Sequence, residues 1–330
     1  MKSFPSIDQF RQTIREVKSN HDYKGKSEDD SPIYLHDSPY PEIFFEGTVK
    51  IHGTNAAVVK YQDRIEYQSR ERVLSLTQDN AGFMLAMMNK DLNEIFDNYS
   101  FDEYIAVYGE WCGQGIQKGV AVSQLPKMFV VFAVKVDGEW QDFKGIDFEE
   151  KLNKIGVYSI HQFERYYISV DFNNPELSQN RLIEITERVE AECPVGRYFG
   201  VSGVGEGVVW SANHNDRHYI FKVKGEKHSV SKVKTLASVD VEQIENIKQF
   251  VESVVTENRL EQGFEYLERN SSLPPDQSQT GDFLRWVVND VMKEESDTIV
   301  SNQLEVKKVN SAISNKARVW YFNRLNSLAF

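Results

Sequence analysis

The feature that most constrains this chain is a short polar turn held between two apolar runs. Ile43-Phe44-Phe45-Glu46-Gly47-Thr48-Val49 and Ala56-Ala57-Val58-Val59 have the length and composition of short buried strands, and Lys50-Ile51-His52-Gly53-Thr54-Asn55 joins them. So short a link is a tight strand-to-strand connection. Such a turn sets backbone N–H groups and a lysine ammonium at the rim of a sheet, where a phosphate can sit. Gly53 lets the backbone approach a ligand closely, with the polar side chains of Thr54 and Asn55 alongside.

On either side of this turn the patterning alternates between strand and helix. Ser6-Ile7-Asp8-Gln9 reads as a capping box, and Ile7, Phe10, Ile14 and Val17 follow at the spacing of a short amphipathic helix. Residues 24–41 are polar and read as a surface loop. Residues 64–69 alternate as a strand that runs into Arg70-Glu71-Arg72. Residues 83–96 read as one helix whose methionine-rich face, with Met84, Met87 and Met88, belongs to a core. Residues 104–109 form a strand ending on Glu110, and residues 128–136 form an unbroken apolar strand. The glycine-rich loop at 113–118 lacks the Gly-Lys-Ser/Thr ending of a P-loop.

Residues 175–192 read as a helix entered through proline. A glycine-spaced strand at 203–210 pairs with a strand at 218–223 across a turn at 213–216. From Val239 onward the period is helical, carried by Val241, Ile244, Ile247, Val251 and Val254, then by Phe283, Trp286, Val287 and Val291, then by residues 309–328. The expected fold class is α+β: a mixed domain over residues 1–237 and a small all-helical C-terminal domain over 238–330.

Composition narrows the function classes. The 330 residues are 40% hydrophobic and 27% charged, with no apolar run of the roughly 20 residues a membrane span needs. The N-terminus lacks the apolar segment of a signal peptide, which implies a cytoplasmic protein with no membrane partner. Cys112 and Cys193, far apart and without a zinc-type pairing, read as reduced packing residues. A formal charge of −12 argues against a protein that coats nucleic acid through its overall field and leaves room for a local basic groove. Residues 222–234 are the most basic stretch, and Lys307, Lys308, Lys316, Arg318 and Arg324 offer an extension.

Lys-x-His-Gly-Thr-Asn at 50–55 resembles the adenylylation motif of the covalent nucleotidyltransferases, and specifically of the ATP-dependent RNA ligase 2 family, in which histidine stands where DNA ligases and capping enzymes usually carry aspartate. Further elements follow in the family's order. Arg70 matches the arginine near the ribose and the RNA end, and Glu110 the carboxylate against the ribose hydroxyl. Phe132 lies in the strand that carries the adenine-stacking aromatic. Glu206 within Gly-Glu-Gly-Val-Val resembles the acid that positions the catalytic metal, and Lys222-Val223-Lys224 resembles the paired phosphate lysines. The resemblance spans residues 48–224. Many members carry glutamate before the lysine; this chain has Val49 there, which offers no carboxylate, only its backbone.

The resemblance implies a nucleotidyltransferase domain of antiparallel sheets with flanking helices, related in outline to ATP-grasp-like adenylyltransferases. It implies ATP, with AMP carried on Lys50, and magnesium or manganese as cofactors. The implied partner is RNA with 5′-phosphate and 3′-hydroxyl ends, as a nicked duplex, acted on by a monomer, with the helical domain assisting RNA binding.

Physical chemistry gives each position a reason. A lysine amine, with its ordinary pKa near about 10.4, becomes a nucleophile only where burial and nearby cations favour its neutral form. Lys222 and Lys224 are suitable cations, and their alternation sends both to one face of a strand. Glu110 and Glu206 are hard oxygen donors of the kind magnesium accepts, although carboxylates close to Lys50 oppose its activation. Phe132 reads equally as a stacking platform or as core. His52 is a local turn residue or a contact to the ATP phosphates, and Asn55 caps the turn or touches the RNA end. Arg72 and Lys118 read as solvated.

Two rival functions remain. A non-catalytic RNA-end-binding protein on a ligase fold is disfavoured by the presence of Lys50, Glu206 and both strand lysines. A DNA ligase or capping-type nucleotidyltransferase is disfavoured by His52 and by a helical C-terminal region where those enzymes append an OB-fold.

Overall fold

The computed structural model describes residues 1–228, 247–271 and 274–328. The chain opens with β1 (Asp8–Gln9), α1 (Phe10–Asp22), β2 (Tyr23–Lys26), β3 (Pro32–Tyr34), β4 (Glu42–Lys50), β5 (Thr54–Tyr61) and β6 (Ile65–Ser69). Next come α2 (Phe83–Met88), α3 (Asn93–Phe96), β7 (Tyr104–Cys112), β8 (Met128–Val136), β9 (Glu139–Gln141) and α4 (Ile146–Lys154). Then follow β10 (Val157–Ser159), β11 (Arg165–Asp171), α5 (Gln179–Ala191), α6 (Pro194–Tyr198), β12 (Gly207–His214) and β13 (Arg217–Lys224). Four helices complete it: α7 (Ile247–Val254), α8 (Glu257–Asn270), α9 (Thr280–Ser301) and α10 (Val306–Leu328). This is a mixed α+β fold with antiparallel sheet and a helical C-terminal region.

The residues group into two compact units. The first comprises 1–6, 48–166 and 187–208, and the second comprises 7–47, 167–186 and 209–330. The expected boundary at 237/238 falls outside the described residues.

The first unit is built on a six-stranded sheet in the order β10-β8-β7-β5-β6, with β9 on β8. β5, β6, β7 and β8 pair antiparallel, and β10 joins β8 in parallel. Ala56 to Val59 are buried throughout, as their apolar run implies. On one side Phe83 packs 4.9 Å from Phe129 and 5.7 Å from Trp111.

The helix expected over 83–96 is instead two short ones. Asn89 turns its side chain back onto the Leu85 carbonyl and Asp91 accepts from the Asn93 N–H, so local side-chain bonds outcompete the helical ladder. Met88 is consequently exposed rather than core.

The second unit carries the five-stranded sheet β1-β13-β12-β4-β11. β4 alternates rather than being buried on both faces: Ile43 and Phe45 point into the core and Phe44 is exposed. Phe221 sits between Phe10 at 4.9 Å and Phe45 at 5.2 Å, with Trp210 stacked at 6.4 Å.

The first helix starts at Phe10, not near Ser6. Asp8 and Gln9 pair in parallel with Phe221 and Lys222, and Gln9 with Gln12 forms the reciprocal cap, so sheet pairing takes the residues proposed for the earlier cap. Residues 24–41 are not all loop, because β2 and β3 form an exposed hairpin within them.

The β12–β13 hairpin matches its expectation, with Asn215 and Asp216 both in the left-handed region that such tight turns require. β12 begins only at Gly207, so residues 203–206 are loop rather than strand. Residues 175–178 form a 3-10 turn before α5. The helical C-terminal region buries Phe250, Phe264, Phe283, Val287, Ile313 and Tyr321 in one cluster. α8 and the alternating β11 lie outside the expected elements; Val241 and Ile244 lie outside the described residues. Cys112 and Cys193 are free and buried, and burial raises both thiol pKa values.

Phe221 makes the sheet core of the second unit testable. Phe221→Ala removes a fully buried ring from among three aromatic neighbours, and is expected to cost about 3–5 kcal/mol, read as a lowered urea midpoint.

Candidate functional site

Alternation along β4 decides which way Lys50 points. Val49 is buried in the core, so Thr48 and Lys50 emerge on the opposite face, and Lys50 is the last residue of the strand. The chain then turns through Ile51, His52 and Gly53 into β5. Gly53 lies where no side chain fits: a Cβ there would stand 2.4 Å from the Trp111 carbonyl oxygen and 2.9 Å from Glu110 Cγ. Gln117, from the glycine-rich loop, donates to the Gly53 carbonyl at 3.0 Å. The turn is therefore pressed against the end of β7, and only glycine permits it.

Glu206 arrives from the loop before β12. Gly205 donates to the Val189 carbonyl, and a Cβ at Gly205 would stand 2.5 Å from that oxygen. Ala121 N–H donates to the Val204 carbonyl at 2.9 Å and Cys193 N–H to the Gly203 carbonyl at 2.8 Å. These bonds hold a carboxylate that is only 3% exposed. Lys50 Nζ donates to Glu206 Oε2 at 2.8 Å, and His52 Nδ1 lies 3.2 Å from the same oxygen. The buried acid is thus paired with the lysine and the imidazole of the turn, as a buried charge requires.

The ladder arranges the other first-unit residues. Asn55 pairs with Glu110 across β5 and β7, which puts both side chains on one sheet face. Glu110 lies two residues inside β7 rather than closing it. Phe132 is the extra residue of a β-bulge, since Tyr108 pairs with Ala133 and Gly109 with Val131. It is half-buried on the face that carries Ala57 and Tyr108, with Phe4 edge-on at 4.9 Å. Phe132, Asn55 and Glu110 therefore share a face. Arg70, exposed just past β6, donates to Ser6 Oγ at 3.4 Å. Arg72 is half-buried, contrary to the solvated reading, whereas Lys118 is exposed.

Lys222 and Lys224 belong to the second unit. As expected they share one half-buried face of β13, with Val223 on the other. Lys222 is not free of protein partners: it donates to Glu294 of α9. Glu294 also accepts from Gln9 at 3.3 Å and lies 3.9 Å from Arg259, which is fully buried. Arg11 extends this network to Glu295 and Asp297, each at 2.9 Å. Burial would raise the Glu294 carboxyl pKa, but the Lys222 and Lys224 ammoniums overcome it and lower the value.

The sequence reading passed over Arg11, Arg259, Glu294 and Glu295. Its available signal was Glu295, which stands in phase with Val287 and Val291 on the buried face of α9. Of the C-terminal cations, Lys308 pairs with Glu305, Lys316 with Glu252 and Arg324 with Glu261, which weakens the proposed basic extension. Lys232 and Lys234 lie outside the described residues.

A family model described as RNA ligase matches residues 44–224, more than half of the chain. Among solved structures, a Naegleria gruberi RNA ligase with PPi is 17% identical with a TM-score of 0.45, the match covering 69% of this chain and 56% of that one. A lysine mutant of that ligase with AMP and Mn gives 17% and 0.44, covering 68% and 56%. An arginine mutant with ATP and Mn gives 19% and 0.43, covering 69% and 58%. The match spans just over half the length of these ligases. Comparison with curated proteins gives no match.

The Glu294 network has a defined pH signature. A carboxyl pKa lowered by folding stabilises the protein above the unfolded value of about 4.3, and that contribution is lost as pH falls below it. Glu294→Gln is expected to cost about 3 kcal/mol at pH 7 by urea denaturation, and to lose less further stability than wild type between pH 5 and pH 3.

Proposed function

This chain belongs to the RNA ligase family, and from that premise we propose that it joins an RNA 3′-hydroxyl to an RNA 5′-phosphate using ATP. The observation that carries the reading is the contact of Lys50 Nζ with the buried Glu206 carboxylate at 2.8 Å, inside the family-matched segment. A lysine held at a strand end against a buried acid is positioned as a nucleophile with a proton acceptor in contact.

In the first step the Lys50 ammonium gives one proton to Glu206, the freed amine forms a bond to the α-phosphorus of ATP as the bond to pyrophosphate breaks, and the second nitrogen proton leaves to solvent. His52, on the same carboxylate oxygen, steadies Glu206 and offers an N–H to the departing phosphates. In the second step an RNA 5′-phosphate oxygen attacks the α-phosphorus, Glu206 returns its proton to the Lys50 nitrogen, and Lys50 leaves as the amine, giving RNA-adenylate. In the third step the 3′-hydroxyl loses its proton to solvent and attacks the RNA 5′-phosphate, and AMP leaves. The resemblance assigns contact with the nucleotide phosphate to Lys222 and Lys224, which share one face of β13.

Glu110 and Asn55, side by side on the sheet face, hold the ribose and the RNA end, and Phe132 on that same face offers its ring to adenine. Arg70, exposed just past β6, is assigned to the ribose and the RNA end. Glu206 and Glu110 are oxygen donors that suit magnesium or manganese, and such an ion, when bound, would neutralise charge on the phosphates. The assignment to the RNA ligase 2 branch rests on His52 within Lys-x-His-Gly-Thr-Asn. The preferred substrate is a nick in a duplex, sealed by a monomer in the cytoplasm, where two free thiols are stable. The helical C-terminal region assists RNA binding.

Incubation with labelled ATP and magnesium, followed by denaturation, should leave an acid-labile, base-stable phosphoramidate adduct of AMP. Lys50→Ala should leave none; an adduct that survives this substitution, or its absence from the wild type, sinks the proposal, and labelling from GTP instead would indicate a capping activity. In a sealing assay, a nicked duplex should react faster than single strands, and the reverse order would remove the preference for nicks.

A further inference from the structure

Three metal-ligating side chains converge in the second unit, on residues that the ligase chemistry does not use. His21 and Asp22 end α1, and His36 follows the β2–β3 hairpin. Asp22 Oδ1 lies 3.1 Å from His21 Nδ1 and 3.0 Å from His36 Nδ1, and the three ligand atoms all fall within 4.8 Å of one another. Two ligands of a tetrahedral zinc, each about 2.0–2.1 Å from the ion, stand roughly 3.3 Å apart. Two edges of such a site are therefore already near their bound length.

We propose that His21, Asp22 and His36 bind a divalent transition-metal ion of the zinc type, which fastens the β2–β3 hairpin to the end of α1. The surroundings support the ligands as outer partners do in metal sites. Tyr40 Oη donates to the second Asp22 oxygen at 3.1 Å, and Ser38 Oγ lies 3.2 Å from His21 Nε2. The Tyr40 ring stacks on His36 at 4.4 Å, and the side-chain amide of Asn173 clamps the Tyr40 backbone, accepting from its N–H and donating to its carbonyl, both at 2.9 Å. The Leu35 N–H donates to the Asp22 carbonyl at 2.8 Å, tying the returning chain to the helix end. Ligands from both segments are thus held together before any ion enters.

Two imidazoles and one carboxylate select zinc, cobalt or nickel over magnesium, whose preference is for oxygen. The half-exposed His36 leaves further coordination positions to water. The role is structural, because three protein ligands join a helix end to a surface hairpin and lie apart in sequence from Lys50 and Glu206.

The test uses untagged, chelator-stripped full-length protein titrated with zinc chloride against a micromolar fluorescent chelator. One zinc per chain is expected, resistant to excess magnesium and retained in His52→Ala, which removes the imidazole next to Glu206. His36→Ala should weaken uptake by at least about tenfold, and His36→Cys should restore it, since thiolate is also a zinc ligand. Cobalt should give the intense visible bands of a tetrahedral site. A melt without zinc verifies that each variant is folded, as the exposure of His36 leads us to expect. Uptake too weak to compete with the chelator, or unchanged in both His36→Ala and His21→Ala, overturns the proposal. Neither result bears on whether Lys50 is adenylylated.

Discussion

Glu206 is the constraint around which the first unit is arranged. A carboxylate this deeply buried is tolerated only when cations or donors meet it, and the loop that carries it is laced by backbone bonds to Ala121, Val189 and Cys193. Lys50 and His52 meet that requirement from the far end of the sequence, 156 and 154 residues away. Their position follows in turn from the turn at Gly53, which can press against β7 only because it has no side chain. A single buried charge thus explains why a strand end, a glycine turn and a glycine-flanked acid belong together.

The second unit answers a similar problem differently. Lys222 lies on a half-buried strand face, and Glu294 of α9 pairs with it, while Arg11, Arg259, Glu295 and Asp297 extend the pairing across α1, α8 and α9. Charged groups removed from water in this way are costly to leave alone, so each helix brings an acid or a base to the shared network. Glu294 links the helical C-terminal region to the strand lysine through one side chain, so any anion proposed for Lys222 would compete with Glu294 for the same ammonium.

Much of the site was legible as linear order. Lys50, Glu110, Phe132 and Lys222 stand in segments whose apolar runs mark strands, whereas Glu206 falls in the loop just before β12, and short-range alternation is sufficient to say that Lys222 and Lys224 share a face. The less legible parts have physical causes. The α2–α3 break came from Asn89 and Asp91 bonding to nearby backbone, a local competition that an apolar count overlooks. The early helix cap was lost to parallel pairing of Asp8 and Gln9 with β13, more than 200 residues on. Glu294 was missed because an acid on a helix reads as solvated until the strand opposite it is known.

By itself, then, the sequence determined the strand–turn–strand about Lys50, the order of the candidate site residues, the hairpin that carries two lysines, and the helical character of the described residues from 247 onward. These depend on periodicity and on side-chain type, which are local properties. Tertiary structure decided which charge meets which: Lys50 and His52 on one oxygen of Glu206, Lys222 on Glu294, and His21 and His36 on Asp22. Pairing of that kind depends on burial and on distance through space. Neither is encoded at any one position, because the same lysine is solvated or bound according to what the fold places within about 3 Å of it.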